Sequence, residues 1–400
     1  MNAIEISAQH NTLFSLQLVT GIHDEWIGLE LCFGNEVEKS VAMLAQLFND
    51  VGLHAALGTF PCLISLSDPA WLTEELAMIL PAEQIIWCVS AANCTNPDWQ
   101  EGLLRLQQQG FRIFMDGLLL SGAIALKGVE ALMLDCSAGV PPGIIACLRK
   151  FSGPHLARKV HTRLRFNECV SAGFAWLSGD YPLQPSATLQ SDAGPSRSRL
   201  LKLLGLVARD AESRDLEALL KQDTALSYNL IKLVSSAAFA QTKSISSFSQ
   251  AINLLGRRQL QRWLQLLLYA HQHEGAAANP LLPHAALRAG MMEALTEGAG
   301  GSKDEQDRAF MVGMFSLLDI LFGTPLAEIL KQLSLPDDVM GALLDRSGRL
   351  GALLNLTECA IGGGTCPSSA QLSACAVDPD LYCASIVKAC AWAIQISEAD

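Results

Sequence analysis

The chain has 400 residues, of which 50% are hydrophobic and 17% are charged, and its formal net charge at pH 7 is −12. This length and apolar content predict two globular domains, each with its own core. The negative charge argues against a nucleic-acid partner, because binding to a phosphate backbone requires a basic surface. The richest apolar segments, 263–270 and 309–322, are too short or are interrupted by Asp319, so they predict buried helices and no membrane insertion.

Residues 1–10 contain no basic region followed by an apolar stretch, which predicts a cytoplasmic protein without a secretory signal. The 12 cysteines include no Cys-x-x-Cys pair, and several lie in apolar segments, so we expect small buried hydrophobic residues rather than disulfides. The late cysteines from Cys359 to Cys390 are widely spaced and have no histidine nearby, which argues against a zinc site. We therefore expect neither a metal nor a cofactor.

From residue 13 to about residue 180, short β-like runs alternate with helix-like runs, which is typical of βα units. Eight such strands predict a compact, TIM-like α/β barrel, in which functional residues lie at the carboxyl ends of the strands. The predicted strands are 13–19, 26–32, 61–67, 84–89, 111–116, 131–135, 155–160 and 175–178, and the clearest helices between them are 37–51, 98–110 and 143–151.

Residues 181–198 contain three prolines and many polar residues, which predicts a domain boundary. We place a barrel domain at 1–185, a linker at 186–198 and an all-helical domain at 199–400. No convincing strand follows the linker. The predicted helices are 199–208, 216–221, 224–235, 247–255, 258–272, 285–298, 304–321, 325–333, 337–345 and 380–396.

The order of short motifs in the first domain resembles the EAL domain, the barrel that hydrolyses the bacterial messenger cyclic di-GMP. The segment LELCFG at 29–34 resembles the opening Glu-x-Leu motif of that family. The segment FRIFMDGLL at 111–119 resembles its strand ending in two aspartates. Segments 132–135, 156–162 and 172–185 continue the resemblance to the end of the barrel.

The resemblance implies a site in which several carboxylates hold two metal ions about 3.5–4 Å apart. In this chain Glu30, Asp116 and Asp135 remain as vestiges of that site, together with Lys159. They either keep a binding pocket or are ordinary strand-end residues, one of them paired with an arginine. Because so many charged ligands are lost, we predict no phosphodiesterase activity and no catalytic residue. The substituted positions are Ser65, Cys88, Gly117, Met133, Arg158, His161 and Ser178.

Segments 219–240 and 244–268 resemble the HDOD domain, a helical relative of the metal-dependent HD phosphohydrolases, and the resemblance extends through 309–354. The His-Asp pair of an active HD site corresponds here to Leu318 and Asp319, so the resemblance implies a second site without metal. The cluster of His271, His273 and His284 is predicted to be solvated near a helix terminus, with metal binding as the alternative.

Together the two halves resemble the EAL–HDOD family of bacterial signalling proteins. The sequence therefore predicts a degenerate, non-enzymatic regulator or scaffold of cyclic di-GMP signalling that contacts other signalling proteins through an apolar surface. The alternatives are a receptor that binds cyclic di-GMP or another nucleotide without cleaving it, and a residual phosphodiesterase. Control of motility, surface attachment or virulence is implied by the resemblance alone.

Overall fold

The computed structural model of the chain describes residues 13–34, 41–68, 79–119, 128–185, 195–209, 211–220, 222, 256–269, 278–362 and 366–399. The predicted helices at 224–235 and 247–255, the linker up to residue 194, His271 and His273 lie outside these residues.

Eight strands form a closed barrel, so the predicted α/β barrel is confirmed. Strand β1 is antiparallel to its neighbours β2 and β8, whereas the other neighbouring pairs are parallel. The reversal follows from the short turn between β1 and β2, because a parallel connection needs a crossover of about a dozen residues or more. The strands are β1 (Phe14–Thr20), β2 (Trp26–Phe33), β3 (Cys62–Leu66), β4 (Ile85–Ser90), β5 (Arg112–Asp116), β6 (Ala131–Asp135), β7 (Leu156–Arg158) and β8 (Trp176–Ser178).

Short helices connect the parallel strands. Asn96 caps the longest of them by accepting a hydrogen bond from the amide of Asp98, and Pro97 occupies its first turn, where no backbone donor is needed. The described helices of this half are α1 (Val41–Ala45), followed by a π-helical turn (Gln46–Asp50), α2 (Leu53–Leu57), α3 (Ala91–Thr95), α4 (Pro97–Gln108), α5 (Ile144–Leu148) and α6 (Arg163–Ala172).

The barrel has a packed, apolar interior. Side chains alternate between the two faces of each strand, so one set meets the helices and the other meets inside the barrel. The inner set forms its own buried cluster, which consists of Val19, Leu63, Ile86, Cys88, Phe114, Ala131, Met133 and Leu156.

The helical half is built around its central helix, Leu281–Gly298, which is buried on most of its surface. The predicted helix 304–321 is two helices, because the backbone leaves the helical conformation at Leu317, where φ is −118° and ψ is 12°. No described helix is long and apolar enough to cross a membrane. The helices are α7 (Pro195–Ala208), α8 (Ser213–Leu220), α9 (Arg257–Leu267), α10 (Leu281–Gly298), α11 (Lys303–Phe315), α12 (Leu318–Phe322), α13 (Leu326–Leu330), α14 (Asp337–Asp345), α15 (Gly348–Ala360), α16 (Ser369–Ala374) and α17 (Pro379–Ala399).

The last helices pack against the first strands of the barrel. The hydroxyl of Tyr382 on α17 donates to the carbonyl of Phe14 at 2.6 Å, and the amide of Gly362 donates to the carbonyl of Leu16 at 2.8 Å. The thiol of Cys366 donates to the carbonyl of Cys32 at 2.9 Å. The C-terminal part of the chain is therefore hydrogen-bonded to backbone carbonyls of β1 and β2, while the exact division into domains stays a prediction.

Gly313 lets α10 and α11 pack at close range. A Cβ atom at this position would lie 2.5 Å from backbone atoms of Ala289. Replacing Gly313 by alanine is expected to lower the free energy of unfolding by about 1–3 kcal/mol, although alanine favours a helix, because backbone atoms cannot move aside. Urea denaturation measures this change. The same experiment on Ser373→Ala, an exposed position of α16, should change stability by less than about 0.5 kcal/mol; equal effects would contradict the packing argument.

Candidate functional site

Charged side chains converge at the carboxyl ends of the parallel strands, where barrels of this type carry their functional residues. Asp116, Asp135 and Arg158 are the last residues of β5, β6 and β7, and Glu30 lies in the second half of β2. Asp135 and Arg158 are direct partners in the sheet register. We call these four residues and their surroundings the mouth of the barrel.

Arg158 bridges two carboxylates across the mouth. Its Nη1 donates to Oε1 of Glu30 at 3.1 Å, and its Nη2 donates to Oδ2 of Asp116 at 2.7 Å. The Glu30 side chain is 7% exposed and that of Asp116 is 34% exposed, so the guanidinium joins a buried anion to a half-exposed one. The sequence predicted at most one such pair.

Burial controls the electrostatics of this bridge. It raises the pKa of Glu30, and the attraction of Arg158 offsets only part of the shift. Burial alone would lower the pKa of Arg158, but the attraction of Glu30 and Asp116 outweighs burial and raises the pKa of the guanidinium. Arg158 is therefore held as a permanent cation between the two acids.

Asp135 has its own partners, Ser137 and Lys159. Its carboxylate accepts hydrogen bonds from the amide and the hydroxyl of Ser137, at 2.9 and 2.6 Å, and forms an ion pair with Nζ of Lys159 at 2.7 Å. Burial alone would raise its pKa, but these contacts outweigh burial and lower it. Lys159 has a φ of 53°, a conformation that is uncommon for a side-chain-bearing residue.

The substituted positions are distributed between the interior and the rim. Ser65 and Cys88 are register partners on β3 and β4, and burial raises the pKa of the Cys88 thiol. Met133 lies in the inner apolar cluster and Ser178 is buried. At the rim, Gly117 has a φ of 101°, which disfavours any residue with a Cβ, and His161 pairs with Asp180.

The mouth does not fit a divalent cation. In the part of the chain that the structure describes, no group of three or more His, Cys, Asp or Glu side chains could hold a metal ion. The position between Glu30 and Asp116 is taken by a guanidinium, and the Cys88 thiol is a poor ligand for hard cations such as Mg²⁺.

The second predicted site lies in the helical half. Leu318 is fully buried in the core and Asp319 is exposed, so the two side chains do not face a common point. The prediction that His284 is solvated is wrong: it is 1% exposed within α10, and burial, with a contribution from Arg288, lowers its pKa to about 3. His284 lies on the central helix α10, which is buried on most of its surface, so its imidazole is shielded from water and stays neutral.

Comparisons with a family model, with known sequences and with solved structures found the following similarities. The HDOD domain model matches residues 197–328. Cyclic di-GMP phosphodiesterase CdgJ of Vibrio cholerae serotype O1 is 28% identical over 329 residues, which cover 79% of this chain and 74% of CdgJ. YuxH of Bacillus subtilis is 27% identical over 51% of this chain and 50% of its own length. The PaMucR phosphodiesterase in complex with c-di-GMP matches 42% of this chain and 94% of its own, with 15% identity and a TM-score of 0.33.

These findings confirm an HDOD domain in the helical half and homology to the phosphodiesterase CdgJ. They also correct one prediction. The expectation that the chain is not an enzyme is wrong, because the Vibrio cholerae relative that aligns with most of the chain is named a phosphodiesterase.

Proposed function

We propose that this chain, an HDOD-containing homologue of a cyclic di-GMP phosphodiesterase, acts in cyclic di-GMP signalling and binds the cyclic dinucleotide at the mouth of its barrel. The observation that carries the proposal is the Arg158 guanidinium, which is held at the carboxyl ends of the strands by Glu30 and Asp116. A guanidinium recognises phosphate oxygens through two parallel hydrogen bonds.

The rim beside Arg158 also supports binding of an anion. Lys159 is the next residue in sequence and His161 follows two residues later, and their side chains are 62% and 52% exposed. Lys159 adopts its uncommon backbone conformation there, and such conformations often mark functional sites.

The two partners of Arg158 differ in how easily a phosphodiester could displace them. Glu30 is almost fully buried, so its hydrogen bond to Nη1 is shielded from water and from ligands. Asp116 is more exposed, and a phosphate oxygen can compete with it for Nη2. The ligand would thus contact Nη2 of Arg158 while Glu30 continues to orient the guanidinium.

We further infer that ligand binding is passed on through contacts with other signalling proteins. The support is the continuous contact between the barrel and the helical half: Glu30 lies on β2, β2 pairs with β1, and β1 receives hydrogen bonds from Gly362 and Tyr382. A shift of the Glu30 side chain can therefore be transmitted through β2 and β1 to the C-terminal helices.

Isothermal titration calorimetry with cyclic di-GMP tests the proposal on the full chain. Arg158→Ala is expected to weaken binding at least tenfold, because a hydrogen bond to a charged group contributes about 1.5–3 kcal/mol. Chromatography of the same mixtures with Mg²⁺ or Mn²⁺ measures conversion to the linear dinucleotide.

The matched control is Arg149→Ala, an exposed arginine at the end of α5 and away from the strand ends, which should bind like the unmodified chain. Equal affinity of the two variants would place the ligand elsewhere. Absence of any heat at about 50 μM protein, together with no conversion, would reject cyclic di-GMP as the ligand.

A further inference from the structure

We propose that the Arg158 guanidinium takes the place of a divalent cation in the mouth, so that cyclic dinucleotide binding by this chain is independent of divalent metal. The inference rests on the proposed function for its ligand, but its central claim, that Arg158 occupies the cation position, is separable from it.

The first argument is the identity of the oxygen atoms that are engaged. Divalent cations bind carboxylate oxygens at about 2.0–2.6 Å. Oε1 of Glu30 and Oδ2 of Asp116 already accept hydrogen bonds from the two terminal nitrogens of Arg158, at 3.1 and 2.7 Å. A cation that bound the same oxygens would lie in contact with the guanidinium. The two positive charges would then repel each other in a largely buried environment.

The second argument is the balance of charge. Both carboxylates of the bridge are already engaged by the guanidinium of Arg158. The other carboxylate of the mouth, Asp135, is neutralised by Lys159 and saturated by Ser137. A dinuclear metal site needs several free carboxylates, which the described part of the mouth does not offer.

The third argument is what fills the remaining space. Cys88 and Met133 belong to the buried apolar cluster inside the barrel, Met133 is the register partner of Asp116, and neither Cys88 nor Met133 supplies an oxygen donor. The Arg158 side chain is itself only 20% exposed. The mouth is therefore closed by packing and by one internal cation.

The first experiment compares the affinity for cyclic di-GMP in EDTA with the affinity in millimolar MgCl₂ or MnCl₂, using the full chain. We expect the two dissociation constants to agree within about twofold. A tenfold or larger loss in EDTA would overturn the inference and leave the proposed function intact.

The second experiment does not depend on the dinucleotide. MnCl₂ is titrated against the melting temperature of the unmodified chain, Arg158→Met and the double variant Arg158→Met/Glu30→Gln. Removal of the guanidinium should leave two free carboxylates, so Mn²⁺ at about ten times its dissociation constant is expected to raise the melting temperature of the single variant by about 2–3 °C. The double variant and the unmodified chain should show no such rise, which also separates the site from weak binding to surface acids.

A rise of equal size in the unmodified chain would overturn the inference, because Arg158 would then not exclude the cation. If Arg158→Met fails to fold, Arg158→Gln replaces it: glutamine is polar but uncharged, so Mn²⁺ should raise its melting temperature as well, and no rise in a folded, uncharged variant would overturn the inference. If the unmodified chain does not bind cyclic di-GMP, the proposed function fails. The Mn²⁺ titration still decides whether Arg158 holds the cation position.

Discussion

Replacing Glu358 by glutamine is expected to lower the free energy of unfolding by about 3–5 kcal/mol. Oε1 of Glu358 accepts hydrogen bonds from Arg288 at 3.1 Å and from Arg346 at 2.9 Å. Arg288 is 5% exposed within α10, and burial lowers its pKa although Glu358 acts in the opposite direction. Without this carboxylate a buried guanidinium loses its ionic partner. Urea denaturation followed by circular dichroism measures the change.

The control for this prediction is a Glu→Gln substitution in a solvent-exposed ion pair. Glu101 contacts Arg105 one helical turn away, but its side chain is 87% exposed, so Glu101→Gln should cost less than about 0.5 kcal/mol. Arg288→Met together with Glu358→Gln should recover part of the loss, because the buried charge is then absent. Equal stability of Glu358→Gln and Glu101→Gln would show that Arg288 is hydrated or has another partner.

The barrel was predictable from sequence because its strands are short, apolar and separated by helix-like segments. The predicted strand 131–135 coincides with β6, and the predicted strand 111–116 differs from β5 by one residue. The reversed direction of β1 was not predicted. Strand direction depends on the length of the connection and on the neighbours that pair, and a list of strands contains neither.

Helix α15 shows where local signals fail. Gly348 and Gly351 lie at its start, and glycine disfavours helices, so no helix was predicted at 348–360. The structure requires glycine at 351, because a Cβ atom there would lie 2.2 Å from the backbone of Arg346. Tertiary packing therefore overrides helix propensity at this position.

The sequence indicated the charged residues of the mouth and, as an alternative, one arginine–carboxylate pair, but it did not predict a bridge between two carboxylates. Arg158 is 128 residues from Glu30 and 42 residues from Asp116 in sequence, so only the closed barrel brings them together. Arg158 was interpreted as a lost ligand position. Its position as a bridge between Glu30 and Asp116 emerges only from the geometry.

Arg158→Met is expected to make the stability of the protein depend strongly on pH. The folded state already raises the pKa of Glu30, mainly through burial, and Arg158 is the contact that opposes this shift. Removing the guanidinium should raise the pKa further. A carboxyl whose folded-state pKa is raised favours folding most below its unfolded pKa, and this contribution is lost as the pH rises through the folded pKa. The variant should therefore lose about 3–5 kcal/mol relative to the unmodified chain at pH 8 and much less at pH 5.

The double variant Arg158→Met/Glu30→Gln separates the charge from the packing. A glutamine cannot ionise, so the difference between pH 5 and pH 8 should shrink to that of the unmodified chain if Glu30 is its source. Methionine keeps most of the volume of the arginine stem, so any loss that is equal at both pH values reports packing alone. A pH dependence that survives in the double variant would assign it to another group of the mouth. Its disappearance would establish that Arg158 is held in place to compensate one buried carboxylate, which ties the stability of the barrel to the same guanidinium that is proposed to receive the ligand.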